Sequence, residues 1–121
     1  MFTKKEITNL GRNTYSKFYN VHKIDCKIKI ISNDEFWNVA KKSELVKNKI
    51  KNKIPISVGA LVSHEKGKDI VYVSTEVINT LTDDPNFVKA IFMHEFFHIY
   101  LKSLVKNKSL KEATLSERRV K

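Results

Sequence analysis

Ala90-Ile91-Phe92-Met93-His94-Glu95-Phe96-Phe97-His98-Ile99-Tyr100-Leu101 decides the reading of this chain, because it sets two histidines four apart, with a glutamate after the first, inside an otherwise apolar run. On a helix of 3.6 residues per turn, positions four apart stand one above the other, so His94 and His98 can present two imidazole nitrogens to a single metal ion. Zinc takes such nitrogens at about 2.0–2.1 Å; a catalytic zinc adds a third protein ligand and leaves a position for water. Glu95 falls at the edge of the same face, near the metal without binding it, which is where a general base for the zinc water has to stand. Without a metal, a buried Glu95 between two neutral imidazoles is an unpaired charge costing several kcal/mol.

The flanks of this stretch predict a helix. Asp84 can cap it, Pro85 suits the first helical position, and the apolar run begins at Phe87. Phe87, Ala90, Ile91, Phe92, Met93, Phe96, Phe97, Ile99, Tyr100, Leu101 and Leu104 leave almost no polar face, which predicts a core helix. Lys102, Lys106 and Lys108 around Asn107 put cations where the negative end of its dipole is expected.

A chain of 121 residues with 41% apolar content suits one domain, taken as residues 1–121. No stretch reaches the roughly 18 apolar residues of a membrane span, and Met1-Phe2-Thr3-Lys4-Lys5-Glu6 lacks the apolar core of a signal peptide, so a cytoplasmic protein without a membrane partner is expected. Cys26 is the only cysteine, which excludes an internal disulfide and a cysteine-based zinc knuckle. It falls on the apolar side of a predicted strand as a small buried hydrophobe. With 23 Lys and Arg against 13 Asp and Glu, the net charge is +10, which favours an acidic partner, nucleic acid or an acidic protein surface. Much of that excess is lysine mixed with Asn and Ile, as in Lys47-Asn48-Lys49-Ile50-Lys51-Asn52-Lys53, a bias that an AT-rich genome also produces.

Elsewhere the chain alternates between helix and strand signals. Thr3-x-x-Glu6 is a capping box with Phe2 and Ile7 as its staple, predicting a helix from Lys4 to Tyr19 with an apolar stripe of Ile7, Leu10, Tyr15 and Phe18. His22 then falls in a loop. Lys23 to Ile31 alternates cleanly, as a half-exposed strand does. Ser32-x-x-Glu35 is a second capping box, opening a helix that carries Phe36, Trp37, Val39 and Ala40 and frays near residue 47. Ile54 to Val62 and Lys68 to Ser74 read as strands joined at His64-Glu65-Lys66-Gly67, with Pro55 suited to an edge. Val71 and Val73 face one side, Ile70 and Tyr72 the other. Ser74 caps a short helix, Thr75 to Leu81. After Asn107 a last helix is expected to begin at Ser109.

The third metal ligand is sought after His98, where the candidates are Glu112 and Glu117. Ser109-x-x-Glu112 is itself a capping box, which gives Glu112 a structural task. Glu117 stands nineteen positions after His98, and a last helix packed back against the metal helix would carry it to the zinc; Thr114-x-x-Glu117 could serve as a cap instead. Glu117 is favoured over Glu112, with His22 and His64 more remote.

His94-Glu95-Phe96-Phe97-His98 with Glu117 resembles the gluzincin pattern of zinc metallopeptidases. A small sheet ending in a hairpin, then the HExxH helix, then a glutamate helix, is most similar to the ImmA/IrrE type and the minigluzincins, over residues 54–121. Phe97 departs from that type, which has a small residue before the second histidine. Arg118-Arg119-Val120-Lys121 departs from the Ala-Asn-x-Phe-Ala-like stretch that follows the ligand glutamate there. The resemblance implies an α+β, zincin-like fold with about three strands, zinc as cofactor on His94, His98 and Glu117, Glu95 as catalytic base, and a polypeptide substrate, among which transcriptional repressors are the analogy. Two further readings compete: a basic nucleic-acid or repressor-binding module in which the metal is structural or absent, and a latent zincin whose C-terminal segment occupies the cleft.

Overall fold

The computed structural model describes residues 1–42 and 59–120, the last fifteen of them as backbone only. Thr3 caps α1 (Lys4–His22): its side chain accepts from the Glu6 backbone, and Glu6 reaches back to the Thr3 N–H. Phe2 and Ile7 are both buried, so the staple forms. The helix outlasts its predicted end by three residues, placing His22 in its final turn, and closes on Lys23 in the left-handed region at φ 53°. Its inner stripe is Ile7, Gly11, Thr14 and Phe18 rather than Leu10 and Tyr15, which are partly buried at its borders.

The next strand, β1 (Cys26–Ile31), is shorter than its alternation suggested, and α2 (Asn33–Lys41) follows at once from Ser32, whose hydroxyl accepts from the Glu35 N–H. Residues 43–58 lie outside the described residues, and with them the fraying of α2 near residue 47, the strand start at Ile54 and the placement of Pro55. β2 (Ala60–Glu65) runs three residues past the predicted end at Val62, and β3 (Lys68–Ser74) returns antiparallel to it. The turn is the two residues Lys66 and Gly67, at φ 51° and 77°. Positive φ at both turn positions is what lets a two-residue hairpin match the strand twist, and Gly67 takes it without steric cost. Ser74 then caps α3 (Thr75–Leu81).

The sheet order is β1-β3-β2, with β1 parallel and β2 antiparallel to the central β3. Strand alternation separates two cores. Ala60, Val71 and Val73 join Ile7, Phe18, Val88, Phe92, Phe96 and Ile99 beneath α1 and the last helix. Leu61, Ile70 and Tyr72 join Phe36, Ala40 and Val77 on the α2 side. Among the described residues the result is a small α+β fold with a three-stranded mixed sheet between helical layers.

The last helix, α4 (Pro85–Val120), opens as predicted, with Asp84 Oδ1 accepting from the Asn86 N–H at 2.9 Å. Two expectations about it are corrected. Over residues 85–105 only one stripe, Val88, Phe92, Phe96 and Ile99, is buried, while Phe87, Met93, Phe97, Leu101 and Leu104 each keep 40% or more of their surface in water. One layer of neighbours cannot cover a helix on all sides. The predicted break at Asn107 is also absent: the 36 residues form one helix. No Gly or Pro follows Pro85, and Lys, Leu, Glu and Ala are good helix formers, so Ser109-x-x-Glu112 and Thr114-x-x-Glu117 sit within a helix instead of starting one.

Candidate functional site

α4 brings His94 and His98 together as their spacing requires. Their Nε2 atoms are 2.9 Å apart and their rings stand at 90°, and both side chains are open to solvent. Two doubly protonated rings would repel at that distance, so either one Nε2–H donates to the other or both lone pairs point at a cation. Two nitrogens at zinc distance in a tetrahedral site stand about 3.3 Å apart, a few tenths of an ångström more than observed. The two imidazoles are donors of the kind zinc takes, and 2.9 Å is also the separation of an N–H···N hydrogen bond between them.

Glu95 lies on the sheltered shoulder of the same turn. Burial alone pushes its carboxyl up from 4.5 to about 7. A carboxyl poised near neutrality can hold a proton and release it, the property a general base requires.

Helical geometry aims this group. At about 100° per residue, Ile91, Glu95, His98 and Lys102 fall within about 60° of one another on α4, with His94 at the outer border of that side. Ile91 packs against Gly59, where a Cβ would stand 2.8 Å from Ile91 Cδ1, just before β2 begins. Lys102 Nζ lies 3.7 Å from Asp69 Oδ1, and Asp69 pairs with His64 across the β2–β3 hairpin. Between those two anchors α4 runs alongside the hairpin, and the histidine pair stands on the flank turned toward it. β2 has β3 on one side only, so its other edge is unpaired among the described residues.

The remaining sequence candidates do not join the pair. His64 Nδ1 is held by Asp69 Oδ1 at 3.1 Å. His22 packs in the last turn of α1, its ring 4.2 Å from that of Tyr100. Among the described residues no group of three or more His, Cys, Asp or Glu converges on one point. The side chains of Glu112 and Glu117 lie outside the described residues. Along a straight helix, nineteen residues rise about 28 Å, so the turn-back that would carry Glu117 to His98 is not part of this helix. Cys26 is an inert thiol, pushed up to about 12 by burial and by Asp69 and Asp25.

Sequence reading missed Asp69 as the partner of His64. The signal was in the turn: with Lys66 and Gly67 as its only two residues, His64 and Asp69 necessarily fall opposite one another. Comparison with protein-family models, with curated proteins and with solved structures finds no match to this chain. No helix among the described residues is long and apolar enough to cross a membrane.

Proposed function

We propose that this chain is a zinc-dependent peptidase in which His94 and His98 hold the metal and Glu95 is the general base. The observation that carries the reading is the convergence of the two Nε2 atoms at 2.9 Å on the open flank of α4, beside a sheltered carboxyl. Bound there, zinc would acidify a water and polarise a carbonyl oxygen. Glu95 would serve there as the base that takes up a proton and the acid that returns it to the leaving amine. The edge of β2, unpaired among the described residues, would offer backbone N–H and C=O groups to an extended peptide laid along the flank that carries the histidines. Glu117 remains the candidate third ligand, reached within one chain only where α4 bends back on itself.

Elemental analysis and hydrolysis together test the reading. Protein purified without chelator should carry about one zinc per chain, lost in the double variant His94→Ala/His98→Ala. Glu95→Gln should keep both zinc and fold and lose peptide hydrolysis, because the amide preserves volume and removes the base. A chain that takes up no zinc, or a Glu95→Gln variant that hydrolyses peptides within a few fold of wild type, defeats it.

The net charge of +10 supports a second reading, a module that binds an acidic polymer while the metal is structural. Single-stranded or duplex DNA should then bind with an affinity that falls steeply with salt and is indifferent to Glu95→Gln.

A further inference from the structure

Met93 and Phe97, each one residue before a histidine and so about 100° around α4 from it, keep 46% and 48% of their surfaces in water. They face α1 across a groove of about 720 Å³, whose far wall is Leu10, Phe18 and Val21. Val21 is 72% exposed. Exposed apolar side chains that face one another across a groove form a surface that a partner can cover.

The borders of the groove say what kind of surface it accepts. Lys17 on α1 and Lys89 on α4 stand at its two sides, and among the described residues no Asp or Glu lines it. α1 as a whole carries Lys4, Lys5, Arg12 and Lys17 against the single acid Glu6.

We propose that this groove docks an amphipathic helix of a partner protein, apolar along the face it buries and acidic along both borders. A channel between two packed helices receives a third as a ridge enters a groove, with apolar anchors at i, i+3/i+4 and i+7 against Met93, Phe97 and Val21. Acidic residues beside those anchors meet Lys17 and Lys89. A second copy of this chain is a poor occupant, since a two-fold contact would set the lysines of one protomer against those of the other at a net charge of +10 each. A bilayer suits a projecting face rather than a concave one, and a phosphate backbone gains nothing from Met93, Phe97 and Val21. Neither His94 nor His98 lines the groove, which does not depend on the zinc reading.

The probe is a fluorescein-labelled, 18-residue designed helix with leucine at the anchor positions and glutamate on both flanks, read by anisotropy beside a twin with lysine for every glutamate. The acidic helix should bind at least tenfold more tightly than its twin and weaken with salt. Val21→Asp and the pair Lys17→Glu/Lys89→Glu, all at exposed positions, should each weaken it tenfold or more at unchanged melting temperature. His94→Ala/His98→Ala and chelator should leave it unchanged, so loss of the zinc reading and loss of this one are told apart. Equal binding of the twin, no binding of the acidic helix, or indifference to Val21→Asp overturns the proposal. Two other results overturn it by naming a different occupant: a dimer in sedimentation that Val21→Asp dissolves, or binding to phosphatidylglycerol vesicles that Val21→Asp abolishes while the peptide does not bind.

Discussion

Glu95 is a sheltered carboxyl beside the histidine pair, and its burial has a measurable sign. In metal-free protein its folded-state pKa of about 7 stands above the ordinary 4.5, so between those values the folded chain binds more protons than the unfolded one. The contribution of Glu95 to stability is complete below about pH 4.5 and is lost as pH rises through 7. The loss amounts to at most about 3 kcal/mol, less for the part of its surface that still meets water. Chelated wild type should therefore show a melting temperature that declines from pH 5 to pH 8, whereas Glu95→Gln should decline less and be the more stable protein at pH 8. Parallel curves for the two would mean that Glu95 is solvated after all. His94, Glu95 and His98 were legible in the sequence because helical periodicity alone brings them together. A third ligand is not legible in the same way, because a carboxylate nineteen residues away would reach the pair only through a change of chain direction, which no local pattern encodes.

α4 shows how a helix can be read correctly at one end and wrongly at the other. Asp84 and Pro85 mark its start through a specific cap, while Asn107 among lysines only weakens a helix that the surrounding residues favour. Capping boxes are informative only where the preceding turn is already broken, and Ser109 and Thr114 have helix before them. The consequence for the metal can be measured by zinc titration of two variants. If α4 folds back when zinc binds, Glu117→Ala should lower zinc affinity by at least tenfold to a hundredfold, the loss that even outer-shell partners produce, and Glu112→Ala should leave it unchanged. The reverse pattern would transfer the role to Glu112; zinc retained in both would leave the two imidazoles without either glutamate. The contact of α4 with α1 gives a separate test. A Cβ at Gly11 would stand 2.8 and 2.9 Å from ring atoms of the fully buried Phe92 and 3.2 Å from Ile28 Cδ1. Gly11→Ala should destabilise the protein by about 1–3 kcal/mol in urea unfolding, because overpacking outweighs the roughly 1 kcal/mol that alanine adds to a helix. A more stable Gly11→Ala would show that the two helices can part at small cost.

Across the whole molecule, the opposed faces of Ile70 and Tyr72 against Val71 and Val73 already required cover on both sides of the sheet, and the two cores answer that requirement. The strand order was not readable in the same way, since the parallel pairing of β1 with β3 leaves no mark in the residues between them. That mixed order has a kinetic side. β2 and β3 meet across a two-residue turn, whereas Cys26 and Asp69, the first partners of β1 and β3, are 43 positions apart. Closing the short loop costs far less entropy than closing the long one, so the hairpin is the part of the sheet the folding transition state can hold most readily. Gly67→Ala, strained at φ 77°, should then lengthen the refolding time and hardly alter the unfolding rate, while Ile28→Val on β1 should do the opposite in a stopped-flow chevron. Exchanged effects would assign the nucleus to the β1–β3 crossover. With the hairpin first, the speed at which newly made chains reach the native state is governed by Lys66-Gly67, two residues outside the histidine pair and the groove alike.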